Sequence, residues 1–376
     1  ALTTPTLSSA SNAFNLALNA SSGSVTNAAT LSHTGTLTLG ASGGTLSFAG
    51  GLVATAPSAI TLNGTLSSNS TAISLGSSSK TITLGSNAVI NTYADAGVGG
   101  ALSLGAIQAT TANTQSLTLK TKTGAIGIAG NIGSSKALAT LTLGDASQTG
   151  AITLDGTLSA QTLNVGAATG TNAFDIRLNN ALGVAGTTTI TGVTNFYNTG
   201  SIALGDYLSD VFNFNGGLSA LATSGVTLAA GQINATNSRI NLPQAIHFNE
   251  SGTLTAGSGQ IDLGAMTLAA GVTATVGSAS QSGAINLSSV TGTIGAGAVS
   301  SLTLYSSGAV DVSGAIGTKI GIVTLTNSAG ATFHGAVGSS SDLVSTVTLT
   351  ATTGTVKFVD SLYATSLSNP LSSFNL

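Results

Sequence analysis

The chain has 376 residues, a formal net charge of −3 and no cysteine, and only 5% of its residues are charged, where a typical soluble domain carries about a quarter. This composition excludes disulfides and thiolate metal sites, and 8 basic residues offer little for electrostatic binding to nucleic acid or anionic lipid. Polar residues interrupt every apolar stretch, which excludes a membrane-spanning helix, and a mean hydropathy of +0.44 argues against a disordered linker.

Short strands with alternating residues recur along the whole chain. Apolar residues alternate with Thr, Ser or Asn in short runs between glycines, a pattern typical of strands with one buried face. No 3.6-residue period is sustained, and the helix formers Glu, Lys and Arg are scarce. The sequence therefore predicts an all-β fold. In chain order the clearest runs are Leu37–Leu39, Ile82–Leu84, Leu102–Leu104, Leu117–Leu119 and Leu302–Leu304.

The spacing of these runs indicates a repeat that is shorter than a domain. Corresponding leucines recur as Leu119 and Leu143, and again as Leu304, Leu325 and Leu349. Such intervals correspond to a repeat of about 20–25 residues, which matches one coil of a parallel β-helix, where each coil buries its apolar residues against the next. We therefore predict a β-solenoid whose alternate Leu, Ile and Val residues point inward and stack in columns.

A longer duplication divides the sequence into three parts. Residues 1–157 form one copy, residues 158–361 a second, and residues 362–376 the start of a third. Because solenoid repeats stack on their neighbours, we expect one continuous rod that extends end to end, within a longer chain or between subunits. The matching segments are Asn12–Leu16 with Asn172–Ile176, Thr34–Gly40 with Thr199–Gly205, Phe48–Leu52 with Phe214–Leu218, and Leu2–Leu7 with Leu158–Leu163 and Leu362–Leu367.

The motifs of these repeats point to a family of surface proteins. The Gly-Gly-Leu turns, the Leu-Thr-Leu-Thr strands and the run Thr353–Phe358 resemble the repeats of filamentous-haemagglutinin-like and autotransporter-passenger-like giant bacterial surface proteins. The resemblance covers essentially the whole chain. It implies an exported right-handed parallel β-helix with a structural or adhesive role, and it supplies no catalytic, cofactor-binding or metal-binding residue.

Residues that could carry chemistry are few and scattered. Asp206 and Asp210 form the closest acidic pair, as general acid–base catalysis or Ca²⁺ binding would require, but we expect a polar turn between coils. His33, His247 and His334 lack metal-ligand spacing, and we expect His33 and His334 to lie in solvated turns. We predict no catalytic residue, no cofactor and no metal site.

Two further segments stand out from the rest of the chain. Residues 174–250 contain both Arg residues, half of the Phe residues and the single Glu. An exposed binding patch would explain this composition, and so would a wider coil with a larger core; we favour the core because Phe212 and Phe214 share one strand face. The Ser77–Lys80 run has no base within reach in the sequence, so we do not predict a nucleophilic serine.

Three functions are compatible with these observations. The first is a structural component of a bacterial extracellular assembly (a sheath, surface layer or filament) that contacts copies of itself end to end and laterally. The second is the stalk of a secreted adhesin, for which a cell-surface glycan is a candidate partner. The third is a glycan-active β-helix enzyme, which the scarcity of carboxylates disfavours. We favour the first, with no enzymatic activity, no nucleic-acid partner and no membrane span.

Overall fold

The computed structural model describes residues 1–95, 97–170, 172–293 and 299–370, which form 39 strands and no helix. The strands form parallel sheets of stacked coils, and the fold is the predicted β-solenoid. The strands are β1 (Leu2–Thr4), β2 (Ser8–Ser9), β3 (Leu16–Leu18), β4 (Ser22–Val25), β5 (Ala29–Leu31), β6 (Thr36–Leu39), β7 (Thr45–Phe48), β8 (Leu52–Ala54), β9 (Ala59–Ser67), β10 (Ile73–Leu75), β11 (Thr81–Asn91), β12 (Leu102–Leu104), β13 (Ala106–Ala109), β14 (Leu117–Lys120), β15 (Ile126–Ile128), β16 (Leu138–Leu143), β17 (Ile152–Leu154), β18 (Ser159–Val165), β19 (Ile176–Leu178), β20 (Thr187–Ile190), β21 (Thr194–Phe196), β22 (Ser201–Phe214), β23 (Leu218–Ala220), β24 (Gly225–Asn234), β25 (Ile240–Leu242), β26 (Ile246–Phe248), β27 (Gly252–Thr255), β28 (Ile261–Leu263), β29 (Met266–Leu268), β30 (Thr273–Gly277), β31 (Ile285–Leu287), β32 (Val290–Gly292), β33 (Ser300–Tyr305), β34 (Val310–Val312), β35 (Ile320–Thr326), β36 (Ala331–Phe333), β37 (Val344–Thr350), β38 (Val356–Phe358) and β39 (Ala364–Ser368).

Tertiary contacts group the chain into two compact units. The first unit comprises Ala1–Ala181, Thr188–Thr191 and Asn195–Gly200. The second comprises Leu182–Thr187, Gly192–Thr194 and Ser201–Leu376. This grouping is by contacts in space, and the three-part division of the sequence at residues 157 and 361 stays a prediction.

A coil of the second unit shows how the stacking works. Strands β28, β29 and β30 follow one another along the chain, and each pairs in parallel with the strand three positions later, β31, β32 and β33. A strand therefore bonds to the same strand of the next coil rather than to its neighbour in sequence. The antiparallel bridges among the described residues are isolated ones, for example Ser77 with Lys80.

The predicted coil spacings are confirmed as register pairs, and the length of a coil varies more than predicted. Leu119 pairs with Leu143, Leu304 with Leu325, and Leu325 with Leu349. The step from Ile246 to its partner Met266 is short, whereas the step from Ser159 to its partner Thr189 is clearly longer than the predicted coil. Turns absorb the difference, so the predicted range of coil lengths is too narrow.

The apolar core lies inside the coils, as the alternation predicted. In β35, Val323 and Leu325 are no more than 1% exposed, whereas Thr324 and Thr326 between and after them are partly exposed. The rings of Phe212 and Phe214 are fully buried with centroids 5.9 Å apart, which confirms that these two side chains belong to the core. Phe174, Phe196 and Phe248 are also buried.

Two turns that match in sequence also match in geometry. The Gly51 N–H donates to the Phe48 carbonyl over 2.8 Å, and the Gly217 N–H donates to the Phe214 carbonyl over 2.8 Å. Gly51 and Gly217 have φ of +95° and +98°, which only glycine adopts without strain. The duplicated Phe-x-Gly-Gly-Leu segments therefore form the same turn in each unit.

Candidate functional surface

Asp206 and Asp210 do not form the expected turn. Both lie inside the long strand β22, where the register with β24 shifts on either side of Tyr207. The carboxylate of Asp210 is fully buried and accepts backbone N–H groups of Gly186 at 2.7 Å, Asp206 at 3.1 Å and Tyr207 at 3.2 Å. A bulge leaves ladder groups unpaired, and Asp210 supplies the acceptor they need. Asp210 therefore stabilises the fold instead of forming a solvated turn.

The prediction that His33 lies in a solvated turn is wrong. His33 is fully buried, and its ring stacks on Phe14 with centroids 4.9 Å apart. Nε2 lies 3.3 Å from the Thr36 carbonyl, which can only accept, so in the neutral ring Nε2 donates to that carbonyl and Nδ1 accepts a hydrogen bond from the Ser9 hydroxyl at 3.0 Å. Sequence reasoning missed this pairing because Ser9 lies one coil earlier.

His334 and His247 are exposed, and neither belongs to a cluster of three potential metal ligands among the described residues. His334 Nε2 contacts an Asp311 carboxylate oxygen at 2.9 Å, and both side chains are nearly half exposed. His247 points outward from β26. Among the described residues, no three His, Cys, Asp or Glu side chains come together as metal ligands do.

The Ser77–Lys80 run joins two coils. Lys80 Nζ donates to the carbonyls of Thr55 at 3.2 Å and Ala56 at 2.5 Å in the preceding coil. The hydroxyls of Ser77 and Ser79 contact each other at 3.3 Å. These contacts hold a turn in place.

Buried polar side chains line the corners of the second unit, and the sequence analysis missed them. Gln281 donates to the carbonyls of Gly259 at 2.8 Å and Gly283 at 3.2 Å, and Ser306 donates to Gly283 at 2.8 Å. Each side chain is fully buried, so it satisfies carbonyls that the corner would otherwise leave without donors. The signal was a polar residue two positions before a glycine, as in Gln281-Ser-Gly and Ser306-Ser-Gly.

One outward column of the second unit has threonine in five successive coils, with Gln232 in the coil before them and Ser368 in the coil after them. Thr253, Thr275, Thr303, Thr324 and Thr348 pair in register across five successive coils. We call these five residues the threonine column. All five are partly exposed, and none of their hydroxyls makes a hydrogen bond to another described residue.

Further hydroxyl groups flank the threonine column on the same strands. They lie two positions away along the chain, so they point to the same face of the sheet. The flanking residues are Thr255, Thr273, Ser301, Thr326, Thr346 and Thr350. Neighbouring coils are about 4.8 Å apart and two residues along a strand span about 6.6 Å, so these groups form a two-dimensional grid.

A second outward column of the same unit has different chemistry. Asn241, Asp262, Asn286 and Asp311 pair in register across four coils, and we call them the carboxylate–amide column. The Asp262 carboxylate accepts hydrogen bonds from Arg239 Nε at 2.6 Å, from Gln260 Nε2 at 2.6 Å and from Asn286 Nδ2 at 2.7 Å. Partial burial would raise the pKa of Asp262, but hydrogen bonds from Asn286, Gln260 and Arg239 outweigh it and lower that pKa.

Comparisons with known proteins do not identify a relative. No family model, curated protein or solved structure matches the chain. No helix among the described residues is long and apolar enough to cross a membrane.

Proposed function

We propose that the chain is a structural component of a bacterial extracellular surface assembly (a sheath, surface layer or filament) and that its main partner is another copy of itself. The β-solenoid fold supports this proposal, and so does the resemblance of its repeats to those of haemagglutinin-like and autotransporter-passenger-like surface proteins. We propose no catalytic role, because Asp210, one of the two acidic residues of β22, caps the bulge with its carboxylate.

An uncharged outward column of the first unit carries the proposal. Thr45, Thr65, Val89, Thr118 and Thr142 pair in register across successive coils and are at least partly exposed. A straight column of this kind offers methyl and hydroxyl groups at a regular interval along a sheet. We call it the first-unit column.

The chemistry of this column suits lateral packing. Removing a charged group from water costs several kcal/mol unless it is paired, and the first-unit column has no such group. Its methyl groups gain from burial, and its hydroxyls can bond across the contact. With 5% charged residues in the chain, such contacts would depend only weakly on salt and pH.

Sedimentation velocity and electron microscopy of the purified 376-residue chain test the proposal. We expect assemblies whose size grows with concentration and which persist at high salt. The double variant Thr118→Asp/Thr142→Asp places two charges on the first-unit column and should shift the chain towards monomer.

Thr61→Asp is the matched control, because Thr61 also points outward but stands in a different column, between Thr38 and Thr83. It should assemble as the wild type does. A wild-type chain that stays monomeric at every concentration would refute the structural role. If Thr61→Asp lost assembly as fully as the double variant, the assignment of the contact to the first-unit column would be refuted.

A further inference from the structure

The threonine column has side chains that are held in place before any ligand arrives. A β-branched side chain has few χ1 rotamers, and each of the five threonines lies on a strand bonded to the next coil. Their inward neighbours, for example Leu304 and Leu325, are fully buried. The outward methyl and hydroxyl groups therefore have little conformational freedom to lose on binding.

The hydroxyls of this column are also available to a ligand. Other outward polar groups of the same unit bond to one another: Asn234 donates to Asn213 at 3.0 Å, and Thr255, one of the flanking residues, donates to Asn234 at 2.9 Å. The five hydroxyls of the threonine column bond to no other described residue. Their hydrogen-bonding capacity is directed to solvent.

The face has no charge, its central column repeats from coil to coil, and each of its strands carries at least one further hydroxyl beside that column. The threonine column and its six flanking residues are Thr or Ser throughout. Four coil steps extend the column over about 19 Å, with hydroxyls about 4.8 Å apart between coils and about 6.6 Å apart along a strand. A partner that complements this face is itself uncharged, flat and repeats at similar intervals.

We propose that this face binds ice. Water molecules on the prism planes of ice repeat in two perpendicular directions at intervals close to those of the hydroxyl grid. A threonine hydroxyl can take the place of a lattice water, and the methyl group beside it fits between rows of waters without competing for hydrogen bonds. A charged side chain would hold its own hydration shell and disturb this match.

Ice binding is independent of the proposed structural role and involves a different unit of the molecule. Three interruptions limit the grid: Ile322 stands between Ser301 and Thr346, and on the other side of the column Gly277 and Tyr305 stand in successive coils before Thr326. All three lie in the flanking positions, and the threonine column itself is unbroken. We therefore expect the column to dominate binding.

The test uses the whole purified chain in two assays: partition into a slowly growing ice hemisphere, and the gap between melting and freezing temperatures of a single ice crystal. We expect the wild type to enter the ice and to open a measurable gap. The double variant Thr303→Lys/Thr324→Lys should lose both activities, while its circular dichroism and thermal midpoint stay close to those of the wild type.

Thr332→Lys is the matched control. Thr332 also points outward in the second unit, but it pairs with Asp311 and Lys357, outside the threonine column. It should retain both ice activities. Wild-type protein that is excluded from growing ice, or an equal loss in Thr332→Lys, would overturn the proposal. We assign self-assembly to the first-unit column, so these variants should sediment as the wild type does. Sedimentation therefore shows separately whether self-assembly or ice binding has failed.

Discussion

The threonine column and the carboxylate–amide column belong to the same unit and have the same parallel register, yet they use their polar groups differently. In the carboxylate–amide column, Asp262 is surrounded by donors on its own and neighbouring coils. In the threonine column, by contrast, the five hydroxyls have no such partner among the described residues. One column uses its hydrogen bonds for the fold, and the other keeps them for a ligand.

This difference follows from side-chain length. Asn286 and Arg239 are long enough to span the distance of about 4.8 Å between coils and reach Asp262 from the adjacent coils, whereas Gln260 reaches it along its own coil. The hydroxyl of Thr sits close to its own backbone and cannot bridge that distance to another Thr. A column of short β-branched residues is therefore stable without cross-coil side-chain bonds, because its backbone ladder and β propensity suffice.

The largest expected effect is a difference in unfolding free energy between an inward and an outward substitution in the same strand, which tests whether the threonine column faces outward. Leu325→Asp places an unpaired charge in the core between Leu304 and Leu349, and should cost at least about 4 kcal/mol of unfolding free energy. Thr324→Asp, one residue away on the opposite face, should cost about 0.5 kcal/mol. Urea unfolding of both variants measures the difference, and equal losses would contradict the inward and outward assignment.

An intermediate effect separates the two columns by their contribution to stability. Asn286→Ala removes a donor from Asp262 and should lower the unfolding free energy by about 1 kcal/mol. Thr303→Ala removes a hydroxyl that has no partner among the described residues, and should cost less, about 0.5 kcal/mol. Thermal unfolding under identical conditions compares them. If Thr303→Ala proves the more costly, the threonine column is serving the fold rather than a ligand.

The smallest expected effect is a dependence on pH that only the carboxylate–amide column shows. The folded pKa of Asp262 is lowered, so its contribution to stability is present above the unfolded value of about 3.9 and is lost as pH falls through the folded pKa. Asp262→Asn should therefore narrow the gap in thermal midpoint between about pH 6 and about pH 2.5. An unchanged gap would show that Asp262 is not the group responsible.

Several features could be predicted because they depend on residues close together in sequence. The alternation in Leu302–Leu304 assigns inward and outward faces, since successive side chains on a strand point to opposite sides. The buried rings of Phe212 and Phe214 follow from the same rule. Isolated histidines and acidic residues gave no comparable signal, because the neighbours of such a residue in space belong to other coils.

The misplaced residues have partners one coil away. His33 bonds to Ser9, 24 residues earlier, and Asp210 bonds to Gly186, also 24 residues earlier. Local sequence patterns cannot identify a partner at such a separation unless the exact length of the intervening coil is known. Gln281 is similar, because one of its carbonyl partners, Gly259, belongs to the previous coil.

The amino-acid sequence by itself determined that the chain is all-β, that it forms stacked coils, and which side chains face the core. Only the tertiary structure decided which outward residues stand in line. Thr275 pairs with Thr303, and Thr303 pairs with Thr324, although the first of these two steps along the chain is longer than the second. Turns absorb the unequal lengths, and the stacking of buried residues such as Leu304 on Leu325 selects the register, because slipping by one residue would expose every apolar side chain of the strand.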